Sequence, residues 1–265
     1  MQYPDNSIQR IKVRYRGDSQ LNWLFEKKSL RIKSRKKRLF NGRRVLNLNV
    51  PQNPALIELY LAFSAAQDAG ILSPKGRLVE VFMNDQPYGV LIEYDQPGEV
   101  FLRHFGQMPV NLYKGEQAHI ERSESIDLDL YDNPSLWSKV AVGNDLPEKD
   151  YSDLKYFLDL IRRAVNNDQA YEQLKLVAPF SVWAKFAAFQ AVTQNAHNTG
   201  YHNQRLMVDP WRGEAHPVLN DPSFLFMEFG LGKVDFYGLA EKHFREIPEY
   251  AVKNLVEELE IDTQS

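Results

Sequence analysis

The stretch Arg14–Lys33, RYRGDSQLNWLFEKKSLRIK, is where the reading of this chain starts. Ahead of Gly17, the residues Ile11, Val13 and Tyr15 fall on alternate positions. Beyond it, Leu30 and Ile32 alternate with Arg31 and Lys33. Period-two alternation predicts half-buried strands, so the stretch reads as strand, glycine turn, basic strand. Glycine lets backbone N–H groups approach an anion closely, and Arg or Lys fixed on a strand can neutralise it. The candidate anion contacts are therefore Arg16, Ser19, Lys28, Arg31 and Lys33, with Arg31 and Lys33 sharing one strand face. An ordinary hairpin with a solvated basic face would show the same pattern.

Working outward, 265 residues make one large domain or two small ones, enough for a real core. The net charge of −3 argues against a general nucleic-acid binder. Its distribution is uneven. Between Lys27 and Arg44 there are ten Lys or Arg and no acid, whereas acids dominate from Glu121 to Asp159. That asymmetry fits a protein that handles an anion in one region only. The chain has no cysteine, which excludes disulfides, zinc–thiolate sites and thiol nucleophiles. No apolar run approaches the length of a membrane span, and the first residues do not read as a signal peptide. The chain begins almost inside its first motif, as expected of a fragment or an unusually short protein.

Strands are expected at 9–16, 28–33 and 45–50, joined through a basic loop at 34–44. A helix is expected from Ala55 to Ala69, closed by Gly70. Two strands, 77–82 and 88–93, flank the polar turn Asn84-Asp85-Gln86-Pro87. A short helix at 100–105 and a strand at 110–114 follow. Residues 116–150 are acid-rich and weakly periodic, and read as a connection. Helices are then expected from Tyr151, at 168–176 and from Ser181 to about Gln194, the last one buried on a broad face. Strands at 206–208 and 217–219 enclose a turn at Asp209-Pro210. Strands first and helices later describe an α+β protein.

RGDS, KKSLRIK and Leu46-Asn47-Leu48-Asn49 resemble the opening of the CotH kinase family, the spore-coat-type atypical kinases. That family reads RGNS, a short gap, KK-aromatic-R-hydrophobic-K, then a hydrophobic-Asn run. The resemblance continues through Val79–Asn84, Tyr88-Gly89-Val90, Ile92-Glu93, Asn111–Lys114, Tyr201-His202-Asn203 and Asp221, roughly from residue 10 to 230. It implies a bilobal atypical kinase-like fold: a β-rich antiparallel N-lobe at 1–115, the acidic connection 116–150 and a mostly helical C-lobe at 151–265. It also implies ATP, Mg²⁺ or Mn²⁺, a protein substrate with a Ser or Thr acceptor, and a spore-surface or extracytoplasmic setting.

On this resemblance Glu93 is expected to pair with a basic residue of the first sheet. Glu58 occupies the place of the kinase helix glutamate, on a face turned to solvent. Lys114 is a further candidate for phosphate contact. Kinases follow a catalytic loop with a hairpin and then an Asp, using one residue to orient the hydroxyl and an Asn and an Asp to bind metal. Asn203 and Asp221 fit the two metal roles; each is also a residue type common in turns and caps. The family's base, an Asp shortly before this Asn, is missing. Asn198 stands in its place beside His197, and these two are the candidate catalytic residues, with His202 as an alternative base. The family's Trp-Asp-aromatic-Asp phrase is eroded to Val218-Leu219-Asn220-Asp221. An amide cannot accept a hydroxyl proton, so three readings stay open: an active kinase, a pseudokinase or nucleotide-binding scaffold, and a non-enzymatic module that docks an acidic polymer through residues 27–44. The enzyme reading expects the early lysines and Asp221 to meet across one cleft.

Overall fold

The computed structural model describes residues 8, 10–17, 26–35, 37, 39–40, 42–50, 58–107, 110–116, 129–141, 147–193, 195, 197–198, 200 and 202–222. Ser19 lies outside these, as does the side chain of Glu58. The chain is α+β, with two antiparallel sheets and several helices. It divides into two compact units, Met1–Ser64 with Pro74–Gly106, and Ala65–Ser73 with Gln107–Ser265.

The first unit is built on a five-stranded sheet of order β1-β2-β3-β5-β4. Its strands are β1 (Lys12–Tyr15), β2 (Leu30–Lys33), β3 (Val45–Asn49), β4 (Gly76–Met83) and β5 (Gln86–Tyr94). Alternation does what the sequence suggested in β2 and β3. Strand β1, expected to be half-buried, is instead exposed along its whole length, Val13 and Tyr15 included, because it is the end strand of this sheet among the described residues. Leu30, Leu48, Val50 and Leu91 are buried on one face, with Ile32, Val79, Val81 and Tyr88 packed against them. The β4–β5 hairpin turns at Asn84 and Asp85, both with positive φ (52° and 61°), the backbone of a tight two-residue turn that Asn and Asp tolerate. Helix α1 (Glu58–Asp68) follows β3, and α2 (Glu99–His104) follows β5.

The second unit holds a four-stranded sheet of order β7-β6-β8-β9. Here two expectations need correction. The strand at 110–114 is β6 (Asn111–Gly115); it belongs to this unit and not to the first, because its backbone is bonded on one side to β7 and on the other to β8. Residues 116–150 are more than a connection, since β7 (Trp137–Ala141) lies within them, after a single 3₁₀ turn at Pro134–Leu136. The expected helices are α3 (Ser152–Ala164), α4 (Asp168–Val177) and α5 (Phe180–Thr193). Asn167 caps α4 by accepting the Ala170 N–H at 2.9 Å. Helix α5 buries Trp183, Phe186 and Phe189, and the Trp183 indole donates to the Ala215 carbonyl at 2.8 Å. It thereby fixes the hairpin β8 (Gln204–Asp209) and β9 (Glu214–Pro217), whose ends carry the loop described next.

Candidate functional site

In the second unit, the loop from α5 to β8 and the segment after β9 converge. Asn198 is the clamp. Its amide nitrogen donates to the carbonyls of Asn203 (3.1 Å) and Asn220 (2.5 Å). Its amide oxygen accepts from Asn195 at 2.6 Å, and its carbonyl accepts from Gln190 at 3.1 Å. The residue is buried. Every polar atom of that side chain is engaged inside the protein, so Asn198, expected among the catalytic residues although its amide cannot act as a base, holds the loop in position.

His197 lies half-buried between the two residues expected to bind metal. Its Nδ1 is 2.7 Å from the Asp221 backbone carbonyl. A carbonyl only accepts, so Nδ1 carries the proton; the Asn203 amide nitrogen lies almost equidistant from Nδ1 (3.1 Å) and Nε2 (3.0 Å) of the same ring. With its nitrogen turned to His197, the Asn203 amide presents its oxygen elsewhere. Asn203 and Asp221 both have left-handed backbone, at φ 56° and 49°. Such conformations are uncommon outside glycine and cluster at functional sites.

The surroundings carry charges that sequence reasoning missed. Glu116, just past β6, pairs with His202, and Lys114 lies 3.7 Å from it. Burial would raise the Glu116 carboxyl, but the hydrogen bond to His202 and the charges of His202, Lys114 and Arg205 outweigh it and hold it below the usual carboxylate range. The His202 and His197 rings lie 4.9 Å apart. Arg205 is buried on β8; burial pushes its guanidinium down to about 10, against the opposing charges of Glu116 and Asp221. Nothing in the alternation of QRLMVD singles out Arg205, because all six residues of β8 are buried.

In the first unit, Glu93 is 4% exposed. It is paired with Arg43 (2.5 Å) and Arg77 (3.1 Å), not with a lysine of the glycine-turn motif. Arg43 also reaches Asp95 at 3.1 Å. Lys28 is latched through its main chain: the Tyr88 hydroxyl donates to the Lys28 carbonyl (2.9 Å) and accepts from its N–H (2.6 Å). Lys27 crosses Gly89 to donate to the Val90 carbonyl at 2.7 Å. Gly89 has φ 107°, a backbone that L side chains rarely adopt, which accounts for glycine in Tyr88-Gly89-Val90; a Cβ there would also lie 2.9 Å from the Lys27 ammonium. Arg16 is held by Asn49 (2.6 Å) and lies over the Tyr94 ring, 5.1 Å from its centre. Arg31 and Lys33 share a face of β2, as alternation requires.

The family model for CotH kinase protein matches residues 13–227. The chain belongs to the CotH kinase family. No curated protein matches it. Among the described residues of this CotH chain, no single helix is long and apolar enough to cross a membrane. Nor do three His, Cys, Asp or Glu side chains gather into a metal-holding group among them. The donor set on offer for a cation is the Asn203 amide oxygen and the part-exposed Asp221 carboxylate. That set does not cage a metal, but it suits Mg²⁺, which prefers few hard oxygen ligands completed by phosphates and water.

Proposed function

We propose that this chain is a CotH-type kinase of bilobal, atypical protein-kinase-like fold. It binds ATP with Mg²⁺ or Mn²⁺ and transfers the γ-phosphoryl group to a Ser or Thr hydroxyl of a protein. The observation that carries the reading is the position of His197, hydrogen-bonded to both Asn203 and Asp221.

In this reading Asn203 and Asp221 hold the divalent cation, which when bound neutralises the phosphate charge that grows during transfer. Within the first unit, Arg16, Lys28, Arg31 and Lys33 are the candidates for phosphate contact, and Lys114 and Ser19 remain candidates for the same role. Glu93 serves by holding Arg43 and Arg77 in place. His197 is the candidate to receive the acceptor hydroxyl's proton at Nε2, with His202 as the alternative base, while the backbone carbonyl of Asp221 fixes the His197 tautomer through Nδ1. Base catalysis contributes about 10² to 10⁴ in rate, so the loss of the family's Asp, with Asn198 in its place, slows transfer without ending it.

The engagement of Asn198 favours a second reading, a pseudokinase that binds nucleotide and transfers nothing. Two measurements separate them. Thermal shift with ATP and Mg²⁺ or Mn²⁺ should rise in both, and should shrink in Arg31→Ala and Asp221→Ala. Transfer of radiolabelled phosphate to itself or a generic acceptor, abolished by Asp221→Ala, occurs only in the first. Absence of any nucleotide-dependent shift removes both.

A further inference from the structure

The far edge of the five-stranded sheet is open. Strand β4 ends the order β1-β2-β3-β5-β4 and bonds to β5 alone. The backbone groups that it turns away from β5 take no hydrogen-bond partner among the described residues. The chain on both sides of β4 is described, from 58 to 107. Its register with β5 passes from Val81↔Gly89 to Phe82↔Pro87 and skips Tyr88, so the extra residue lies in β5 and β4 alternates without a break.

Alternation gives β4 two faces. Val79 and Val81 pack against the buried cluster of Leu30, Leu48 and Leu91. Leu78, Glu80 and Phe82 point the other way and are exposed, Leu78 at 46% and Phe82 at 59%. Val90, opposite Glu80 on β5, is exposed as well. No cation pairs with Glu80 among the described residues. A long edge that shows Leu and Phe is a template for another strand, and proteins in water cover such edges or blunt them.

Glu80 blunts this edge against its own copy. Two β4 strands related by a two-fold axis pair antiparallel, and residues directly opposite one another share a face. Arg77 lies on the Val79 face, so it never comes opposite Glu80 in such a pair. Glu80 would meet Gly76, Leu78, Phe82 or another Glu80. A carboxylate within an apolar row is complemented instead by a cation from a different chain.

We propose that β4 takes up an extended segment of a partner protein in which a Lys or Arg has apolar residues two positions away on either side. The cation sits opposite Glu80, the apolar residues cover Leu78 and Phe82, and the intervening side chains stand beside Val79 and Val81. None of the residues proposed to contact phosphate or metal is on β4, and binding is measured without nucleotide. This proposal and the kinase reading therefore fail separately.

The test is fluorescence anisotropy on the full chain with labelled peptides. The first carries Val-Thr-Lys-Thr-Val between Gln ends, and the second has Glu in place of Lys. Two more keep the first sequence and carry N-methyl groups on its odd or on its even residues, which leaves the side chains and blocks one edge of the peptide backbone. The Lys peptide should bind about fivefold tighter than the Glu peptide. Glu80→Lys should reverse that order. One N-methylated peptide should lose binding while the other keeps it. Sedimentation of the chain alone tests for a second copy on the same edge. No binding of the Lys peptide, an order unchanged in Glu80→Lys, equal binding of the two N-methylated peptides, or a wild-type dimer dissolved by Phe82→Asp would overturn the proposal.

Discussion

The basic sheet of the first unit and the amide-rich loop of the second spend polar groups in opposite ways. In the loop, Asn195, Asn198, Asn203 and His197 are hydrogen-bonded mostly to one another and to nearby carbonyls. On the sheet, Arg14 and Arg31 are placed where they repel. The loop is therefore a device for holding geometry, and the sheet a device for holding charge. The proposed phosphoryl transfer would call on both kinds of group, since such chemistry rests on positioning together with electrostatic stabilisation.

Predictions that break this contrast begin at Asp221. Asp221→Ala should lower phosphate transfer by about 10³-fold, in the range expected when a preorganised stabilising group is removed, with little change in the unfolding midpoint. Equal losses of activity and stability would place Asp221 among the structural residues instead. Asn198→Ala should do the reverse. It strands two carbonyls and the Asn195 amide, costing about 3 kcal/mol in a denaturant melt. Arg43→Ala leaves Glu93 and Asp95 short of a cation in a buried setting and should cost about 3 kcal/mol, whereas Arg77→Ala, at the exposed side, should cost under about 1 kcal/mol. Gly89→Ala should cost about 1–2 kcal/mol through backbone strain, since the Lys27 ammonium it meets can move aside.

The smallest effect concerns pH. The Glu116 carboxyl is held below its unfolded value, so its contribution to stability is complete above the ordinary carboxylate range and is lost as pH falls through the folded value. Melting curves of the wild type and Glu116→Gln should therefore differ at neutral pH and converge in acid, by less than about 1 kcal/mol.

Much of the first unit was legible because alternation survives in short strands: Leu30 and Ile32 against Arg31 and Lys33 already give the face and the neighbour. The buried helix α5 was legible from its breadth of apolar positions. Strand β7 was not, since five residues, WSKVA, in an acid-rich stretch carry too little periodicity. Nor was the allegiance of β6, because a strand's partners are chosen by long-range pairing that its own residues do not encode. In the site, the order of motifs pointed to His197, Asn203 and Asp221. The clamping role of Asn198 was hidden, since its partners are backbone carbonyls five and 22 residues away, and any residue type supplies a carbonyl. Glu116 and Arg205 escaped for a related reason: each matters through burial beside the loop.

The Tyr88 hydroxyl grips the peptide groups of residue 28 and ignores what hangs from it. That hold is therefore kept by any residue other than proline at this position, because what it grasps is a peptide group common to them all.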